Sequence, residues 1–284
     1  PVVPPVPPVV PPVPPVVPPV PPVVPPVVPP NAIKILTLNV KWNNTIKNAK
    51  SMLSQIICTE NPHIIALQEP PLQEPTAPNA TQWPTSVEEW KRLAPDHEVK
   101  HSTHGANKEG MLTMYRDMEL KSSTCYEKAG SFRAVHDLVF HRDGKQFRFI
   151  NSHWSHNVDI DAGIDALAKR PRLPTIIAGD FNVKFGDIDR TRAREFKVDD
   201  MHGRSHTYYW SGTGDTRDYV LTDGNFSISD YRVCPKQLSD HRAVIATVHP
   251  KEPPSSGGSM RRVGAMAVPF ALALCATACA GQKL

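Results

Sequence analysis

The sequence Leu-Pro-Thr-Ile-Ile-Ala-Gly-Asp-Phe-Asn at residues 173–182 shows the pattern on which the fold prediction rests. In it, polar residues directly follow a short apolar run. The run Thr175 to Ala178 has the length and composition of a buried strand. Asp180 and Asn182 follow at its end, where a loop can present side chains to a cleft. This segment therefore predicts a strand that leads into a functional site.

Five further segments between residues 31 and 249 also combine an apolar strand with polar residues at one of its ends. They are Asn39 after Ile-Lys-Ile-Leu-Thr-Leu, Gln68-Glu69 after His-Ile-Ile-Ala-Leu, His153 after Phe-Arg-Phe-Ile-Asn-Ser, Asp218 before Tyr-Val-Leu, and Ser239-Asp240-His241 before Ala-Val-Ile-Ala-Thr-Val. Helical spacing at residues 46–57 and 157–169 places helices among these strands. The alternation predicts an α/β layered sandwich.

Two stretches predict the local structure between these segments. Asp143-Gly144, flanked by the strands Phe132 to Phe140 and Phe147 to Ser152, is typical of a two-residue hairpin turn. The long polar stretch from Glu69 to about Lys108 is interpreted as loop.

The residue types at the strand ends suit a site that binds a hard cation next to a general base. Hard cations such as Mg²⁺ bind carboxylate and amide oxygens, which Glu69, Asp240 and Asn39 carry. A histidine beside a carboxylate suits a general base, because the ordinary histidine pKa lies close to neutral pH. His241 directly follows Asp240 and is the candidate for that role.

The series Leu-Asn-Val, Leu-Gln-Glu, Asn-Ser-His-Trp, Gly-Asp-Phe-Asn, Arg-Asp-Tyr-Val-Leu and Ser-Asp-His, in this order over residues 31–249, resembles the endonuclease/exonuclease/phosphatase superfamily. The resemblance implies the deoxyribonuclease I-like fold. That fold is a four-layer α-β-β-α sandwich with two mixed β-sheets and the site at one rim.

The resemblance also implies a role for each site residue. Glu69 would bind a divalent metal, Mg²⁺ or Mn²⁺, with Asn39 and Asp240 as supporting ligands. His241 would act as base on the attacking water and Asp218 would orient it. The remaining members of the set are Asp180 and Asn182, which would position the water and the scissile phosphate, and His153, which would donate a hydrogen bond to the phosphate or a proton to the leaving oxygen.

The residues around His153 separate the branches of the superfamily. Asn-Ser-His-Trp at residues 151–154 resembles the deoxyribonuclease I, sphingomyelinase and phosphoinositide phosphatase branches, whereas the exonuclease III-like branch carries a tyrosine motif there. The interval from Asp180 to Asp240 is shorter than the family pattern leads us to expect. The segments that shape substrate choice are therefore expected to be reduced.

Several residues have a second interpretation. Glu74 repeats the Gln-Glu-Pro of Glu69, Asn39 also suits a turn at a strand end, and Asp218 has Arg217 as a possible ion-pair partner. The other ambiguous residues are His97, His101 and His104, expected in a solvated loop; Trp154 and Trp210, expected to pack in the core or at its rim; and Arg190, Arg192 and Arg194, which suit either a nucleic-acid backbone or a salt-bridged helix face.

Composition divides the chain into three parts. Residues 1–30 contain only Pro and Val, which predicts a disordered polyproline II arm, either a stiff spacer or a ligand for SH3-like or WW-like domains. Residues 31–250 form the predicted catalytic domain. Residues 251–284 form a linker and an apolar tail, either a membrane anchor or a non-native extension. Since Pro1 is not an initiator Met, the chain is expected to be a fragment or a processed product.

Charge and cysteine content exclude some classes of function. The net charge is +4, but without Arg261, Arg262 and Lys283 the 32 basic residues fall to 29, against 28 acidic residues. Net charge therefore gives little support for a polyanionic partner. The 5 cysteines are odd in number and lack the spacing of a disulfide framework or a structural zinc site.

Together these features predict a monomeric, metal-dependent phosphodiester hydrolase that acts as an endonuclease on DNA. The first alternative is a phosphatase or phospholipase of the same fold, acting on an inositol phosphate or on sphingomyelin. The second is an inactive interaction module on a polyproline stalk.

Overall fold

The computed structural model describes residues 31–72, 83–104, 109–127, 132–156, 163, 173–184, 196–197, 206–210 and 213–251. The predicted arm and residues 252–284 of the predicted tail lie outside the described residues. The helix predicted over 157–169 also lies outside them, apart from residue 163.

The described ranges contain two helices and fourteen strands. The helices are α1 (Ala49–Glu60) and α2 (Val87–Leu93). The strands are β1 (Ile33–Asn39), β2 (Ile64–Pro71), β3 (Glu98–His104), β4 (Glu109–Tyr115), β5 (Glu119–Glu127), β6 (Phe132–Arg142), β7 (Lys145–Trp154), β8 (Thr175–Asp180), β9 (Phe196–Lys197), β10 (Tyr208–Trp210), β11 (Thr213–Asp215), β12 (Asp218–Asp223), β13 (Phe226–Gln237) and β14 (Arg242–Pro250).

The strands form two six-stranded mixed sheets and a small hairpin. The first sheet has the order β13-β14-β1-β2-β4-β3, and the second has the order β5-β6-β7-β8-β12-β9. Each sheet contains a parallel pair at its centre, β1 with β2 and β7 with β8, and its other pairs are antiparallel. Strands β10 and β11 form the separate hairpin. Two mixed sheets confirm the predicted fold class.

Alternating side chains give each central strand two buried faces. In β1, Ile33 and Ile35 join the apolar layer between the two sheets, while Leu36 and Leu38 join the layer under α1 and α2. Because successive strand residues point to opposite faces, Asn39 lies on the inter-sheet side with Ile35. The same alternation sets His153, Asp180 and Asp218 on the inter-sheet side of β7, β8 and β12.

The helices cover the outer face of the first sheet. Helix α1 buries Leu53, Ile56 and Ile57, and its C-terminal end is the left-handed Asn61 (φ 49°), whose N–H donates to the carbonyl of Ile57. Ser86 is the N-cap of helix α2, and its hydroxyl accepts from the N–H of residue 89 at 3.3 Å. No helix in the described ranges has the length and apolar character needed to cross a lipid bilayer.

Local predictions from the sequence had different outcomes. The Asp143-Gly144 hairpin is confirmed, with both residues left-handed (φ 51° and 75°), as a type I′ turn requires. The loop predicted from Glu69 to Lys108 is wrong over α2 and β3. Strand β3 lies at the edge of its sheet, where polar side chains face solvent and hide the strand pattern. Strands β4, β5, β9, β11 and β13 were not predicted.

Candidate active site

The candidate site lies where the two parallel strand pairs end. Asn39 and Gln68 form the last pair of the β1–β2 ladder, and His153 and Asp180 form the last pair of the β7–β8 ladder. The carboxyl ends of adjacent parallel strands meet at one edge of a sheet. All four side chains are buried, so this edge combines polar groups with a low dielectric constant.

An irregularity in the backbone of β2 turns Glu69 towards the site. Strand alternation would place it on the outer face with Leu67, but its backbone is left-handed (φ 56°) and the pairing of β2 with β4 shifts register just after Gln68. Oε1 of Glu69 accepts from Nδ2 of Asn39 at 3.1 Å. Burial raises the pKa of Glu69, as does the nearby Asp180, and Asn39 opposes this shift.

His153 is fully buried beside Glu69. Its Nε2 lies 3.4 Å from Oε1 of Glu69 and 3.7 Å from Oδ2 of Asp180. The imidazole therefore faces two carboxylates at the floor of the site.

Asp180 lies at the centre of the polar cluster. Its Oδ2 accepts from Nδ2 of Asn39 at 3.0 Å, and its Oδ1 accepts from the backbone N–H of Asn182 at 2.8 Å. Asp218 is its direct partner across the β8–β12 ladder. Burial works against ionisation of Asp180, but the positive charges of His241 and His153 hold its pKa below the ordinary value. Asn182 is left-handed (φ 52°), and its Nδ2 donates to the carbonyl of residue 154 at 2.8 Å.

Asp218 and His241 form a buried pair. Nδ1 of His241 lies 2.8 Å from Oδ2 of Asp218, and since a carboxylate accepts, Nδ1 carries the hydrogen. Nε2 then faces Oδ2 of Asp180 at 3.8 Å. Burial opposes the charged imidazole, but Asp218 and Asp180 outweigh it and raise the pKa of His241 to about 9. Burial raises the pKa of Asp218, and His241 offsets part of that rise.

Asp240 faces Lys41 on one side and the site on the other. Its Oδ2 accepts from Nζ of Lys41 at 2.7 Å. Its buried Oδ1 has no hydrogen-bond partner among the described residues and lies 3.9 Å from Nε2 of His241. The amide oxygen of Asn39 accepts from the backbone N–H of Lys41 at 2.9 Å, which turns its nitrogen towards the carboxylates.

The donor set fits a divalent cation. Glu69 and Asp240 supply carboxylate oxygens, and Oδ1 of Asp240 is a buried acceptor for which the described residues provide no donor. Among the described residues, the group whose ligand atoms lie within 4.8 Å of one another is Asp180, Asp218 and His241, which includes neither Glu69 nor Asp240. Oxygen-rich groups of this kind suit hard cations.

Basic side chains border this acidic centre, and sequence patterns alone did not reveal them. Nη1 of Arg133 lies 3.6 Å from Oε1 of Glu69, with a side chain that is 34 % exposed. The guanidinium carbon of Arg217 lies 4.0 Å from the ring centroid of Tyr208, whose ring packs 4.8 Å from that of His241. No motif identifies Arg133, because only the β6–β7 pairing brings it to the site.

The structure also decides some of the ambiguous residues. Asp218 binds His241, whereas Arg217 pairs with Asp215 at 3.7 Å. Trp154 stacks on Phe181 in the core at 5.0 Å, which confirms the packing prediction.

The solvated loop predicted for the three histidines is wrong in part. His97 is buried, and its Nε2 lies 3.0 Å from the carbonyl of Pro62, while His101 is exposed on β3. His104 belongs to the same strand. Glu74, the side chain of Trp210 and the arginines at 190, 192 and 194 lie outside the described residues.

Comparisons with known proteins support the fold. A search of curated proteins found no significant match. Among solved structures, an endonuclease/exonuclease/phosphatase from Bacteroides vulgatus has a TM-score of 0.61 at 14% identity, covering 78% of this chain and 99% of that one. The human Nocturnin catalytic domain with bound sulfate has a TM-score of 0.57 at 13% identity, covering 78% and 94%. TDP2 from C. elegans has a TM-score of 0.59 at 14% identity, covering 78% and 76%.

At these identities the structural similarity shows the fold alone. The sequence itself carries the assignment, because residues 36–241 match the model of the Endonuclease/Exonuclease/phosphatase family. The chain therefore belongs to this family, whose members are hydrolases that act on phosphoesters and typically use a divalent metal.

Proposed function

We propose that this protein is a divalent-metal-dependent phosphodiester hydrolase that cleaves DNA as an endonuclease. The observation that carries the proposal is the buried Asp218–His241 pair, whose free Nε2 faces a cluster of carboxylates. A base oriented by a carboxylate beside a candidate metal site is the arrangement that activates water for attack on a phosphate.

The chain's own residues divide the work of proton transfer. Nε2 of His241 accepts the proton of the attacking water, and Asp218 holds the ring in the required tautomer and stabilises the imidazolium that forms. Asp180 and Asn182 orient the water and the phosphate. When bound by Glu69 and Asp240, with Asn39 alongside, a divalent cation supplies positive charge that stabilises the transition state and lowers the pKa of His241.

His153 is the candidate hydrogen-bond or proton donor of the reaction. Glu69 and Asp180 face its Nε2, so a hydrogen on that nitrogen is favoured by both carboxylates. This N–H donates to the phosphate or to the leaving oxygen.

The border of the site favours a polyanionic substrate. Lys41, Arg133 and Arg217 surround the acidic centre, and the Lys41 and Arg133 side chains are each about one third exposed. Successive phosphates of a DNA strand can contact such a border, whereas a small phosphomonoester uses one contact. This feature favours DNA over a small inositol phosphate.

The full chain is incubated with supercoiled plasmid, an abasic-site duplex, sphingomyelin and inositol phosphates, each with Mg²⁺ or with EDTA. We expect plasmid nicking that EDTA stops and that His241→Ala abolishes. The matched control is His249→Ala, since His249 lies on β14 away from the cluster and contacts Ser229.

Each other outcome has a defined meaning. Cleavage of sphingomyelin or inositol phosphate alone supports the phosphatase or phospholipase alternative. The absence of any cleavage supports the inactive interaction module. Activity that survives both EDTA and His241→Ala contradicts the mechanism.

A further inference from the structure

A buried hydrogen bond joins the two sheets directly behind the candidate site. Nε2 of Gln68, on β2 of the first sheet, donates to Oδ1 of Asn151, on β7 of the second, at 2.8 Å. Both side chains are fully buried. Gln68 directly precedes Glu69, and Asn151 lies two residues before His153. The bond therefore lies next to the site and links β2, which carries Glu69, to β7, which carries His153.

Neighbouring groups fix the direction of this bond. Nδ2 of Asn151 donates to the carbonyl of Leu112 and to Oγ1 of Thr113, each at 3.1 Å. A carbonyl can only accept, so the amide nitrogen of Asn151 faces Leu112 and its oxygen faces Gln68. The Gln68 nitrogen also donates to the hydroxyl of Thr37 at 3.1 Å.

The bond belongs to a longer chain of buried donors and acceptors. Oγ1 of Thr113 lies 3.2 Å from Nδ1 of His136, and Nε2 of His136 lies 2.8 Å from Oγ of Ser102. Thr113 accepts from Asn151, and the direction of its hydrogen bond with His136 follows the tautomer of the imidazole. The bonds that Nδ2 of Asn151 donates to Leu112 and Thr113 hold its amide in one orientation.

Hydrogen bonds fix the position of one sheet relative to the other more tightly than apolar contacts do. Other polar contacts also join the sheets, among them Nδ2 of Asn39 with Oδ2 of Asp180 at 3.0 Å, but most of the layer between the sheets is apolar. Apolar contact is non-directional, so it resists separation of the sheets more strongly than sliding. A hydrogen bond between fully buried amides tolerates only a small change in length and angle. Since β2 and β7 belong to different sheets, no backbone ladder fixes Glu69 relative to His153.

We propose that Gln68 and Asn151 are positioning residues that set the separation of Glu69 and His153 across the two sheets. This inference rests on the proposed function. Their hydrogen bond holds Oε1 of Glu69 at 3.4 Å from Nε2 of His153, and so holds one metal ligand in register with the proton donor. Neither residue touches the substrate.

The test is a double-mutant cycle with Gln68→Leu, Asn151→Leu and the double variant. Each single change leaves the other buried amide without this partner and lowers the unfolding midpoint. The double change removes both amides and restores part of the stability, since Thr37, Thr113 and the Leu112 carbonyl still lose a donor. We expect kcat of the double variant to stay 10–100-fold below wild type, with KM within about threefold. Thr222→Val, another buried polar-to-apolar change in the second sheet, controls for polarity alone and keeps kcat.

Two further measurements separate this inference from the proposed function. Calorimetric titration with Mn²⁺ is expected to give a dissociation constant about 10–100-fold weaker for the double variant than for wild type. A crystal structure of the double variant is expected to show Glu69 and His153 farther apart than 3.4 Å. Recovery of both stability and kcat, an unchanged Mn²⁺ affinity, or an unchanged distance would each overturn the positioning role. If wild type cleaves nothing and binds no Mn²⁺, the proposed function fails. The distance between Glu69 and His153 in the double variant then decides whether Gln68 and Asn151 position these residues.

Discussion

Replacing Gly179 with alanine tests how closely the two central strands of the second sheet must approach. Gly179 lies in β8 with φ 146°, a conformation that L-residues rarely adopt. A Cβ built at this position would lie 1.9 Å from the carbonyl oxygen of Ser152 on β7. The three nearest atoms all belong to the Ser152 backbone, so no flexible side chain can move aside.

The expected loss follows from these distances. Real Cβ atoms essentially never approach other atoms closer than 3.0 Å, so β7 and β8 would have to separate by about 1.1 Å at this point, the difference between 3.0 and 1.9 Å. Backbone strain and overpacking each cost about 1–3 kcal/mol, so we expect a loss of about 2–6 kcal/mol in unfolding free energy. The next pair along the ladder is His153 with Asp180. A displacement of about 1 Å there is expected to lower kcat about 100-fold.

Two other glycines separate the contributions. Gly144 has φ 75° and no atom within 4 Å of a built Cβ, so Gly144→Ala measures backbone strain alone. Gly224 has open space and no left-handed backbone, so Gly224→Ala is expected to change little. Chemical denaturation and plasmid-nicking rates are measured for all three variants. The reasoning is refuted if the unfolding free energy of Gly179→Ala lies within about 0.5 kcal/mol of that of Gly144→Ala, the usual range of a benign substitution, and kcat is unchanged.

Further changes test the ion pairs and the pH dependence. Asp137→Ala removes the carboxylate that contacts the buried Arg148 twice, each time at 2.7 Å. We expect chemical denaturation to show that the free energy of unfolding falls by about 3–5 kcal/mol, and a loss below about 1 kcal/mol contradicts this. Burial, with help from Arg142, lowers the pKa of His63 to about 4, so the unfolded chain binds the proton more readily and stability falls as pH drops from about 6.5 towards 4. His63→Gln should flatten the midpoint-against-pH curve in that window, and an unchanged slope counts against the assignment.

The position of several candidate site residues at strand ends could be predicted, because strand alternation and strand ends are local properties of a sequence. Asn39, His153 and Asp180 each end a run whose apolar residues mark the strand. The turn at Asp143-Gly144 follows from the same local logic, since few residue pairs tolerate two consecutive left-handed conformations. These features depend on fewer than ten neighbouring residues each.

Other features depend on contacts between distant parts of the chain. Lys41 meets Asp240 across 199 residues, and Gln68 meets Asn151 across 83. Neither pairing leaves a pattern in a single sequence. The backbone of Glu69 is a comparable case, because a left-handed glutamate is uncommon and only the register shift between β2 and β4 explains it. His97 appeared to be a solvated residue because its partner, Pro62, comes from another loop.

The pairing of β1 with β14 governs when the candidate site can first be assembled during synthesis of the chain. The strand nearest the start of the described chain needs as its neighbour the strand nearest the end, so the first sheet stays incomplete until β14 has left the ribosome. Asp240 and His241 directly precede β14 and arrive at the same moment. A nascent chain therefore holds most of the fold's residues before it holds the complete set of candidate site residues. The long sequence separation of these contacts also favours slow folding.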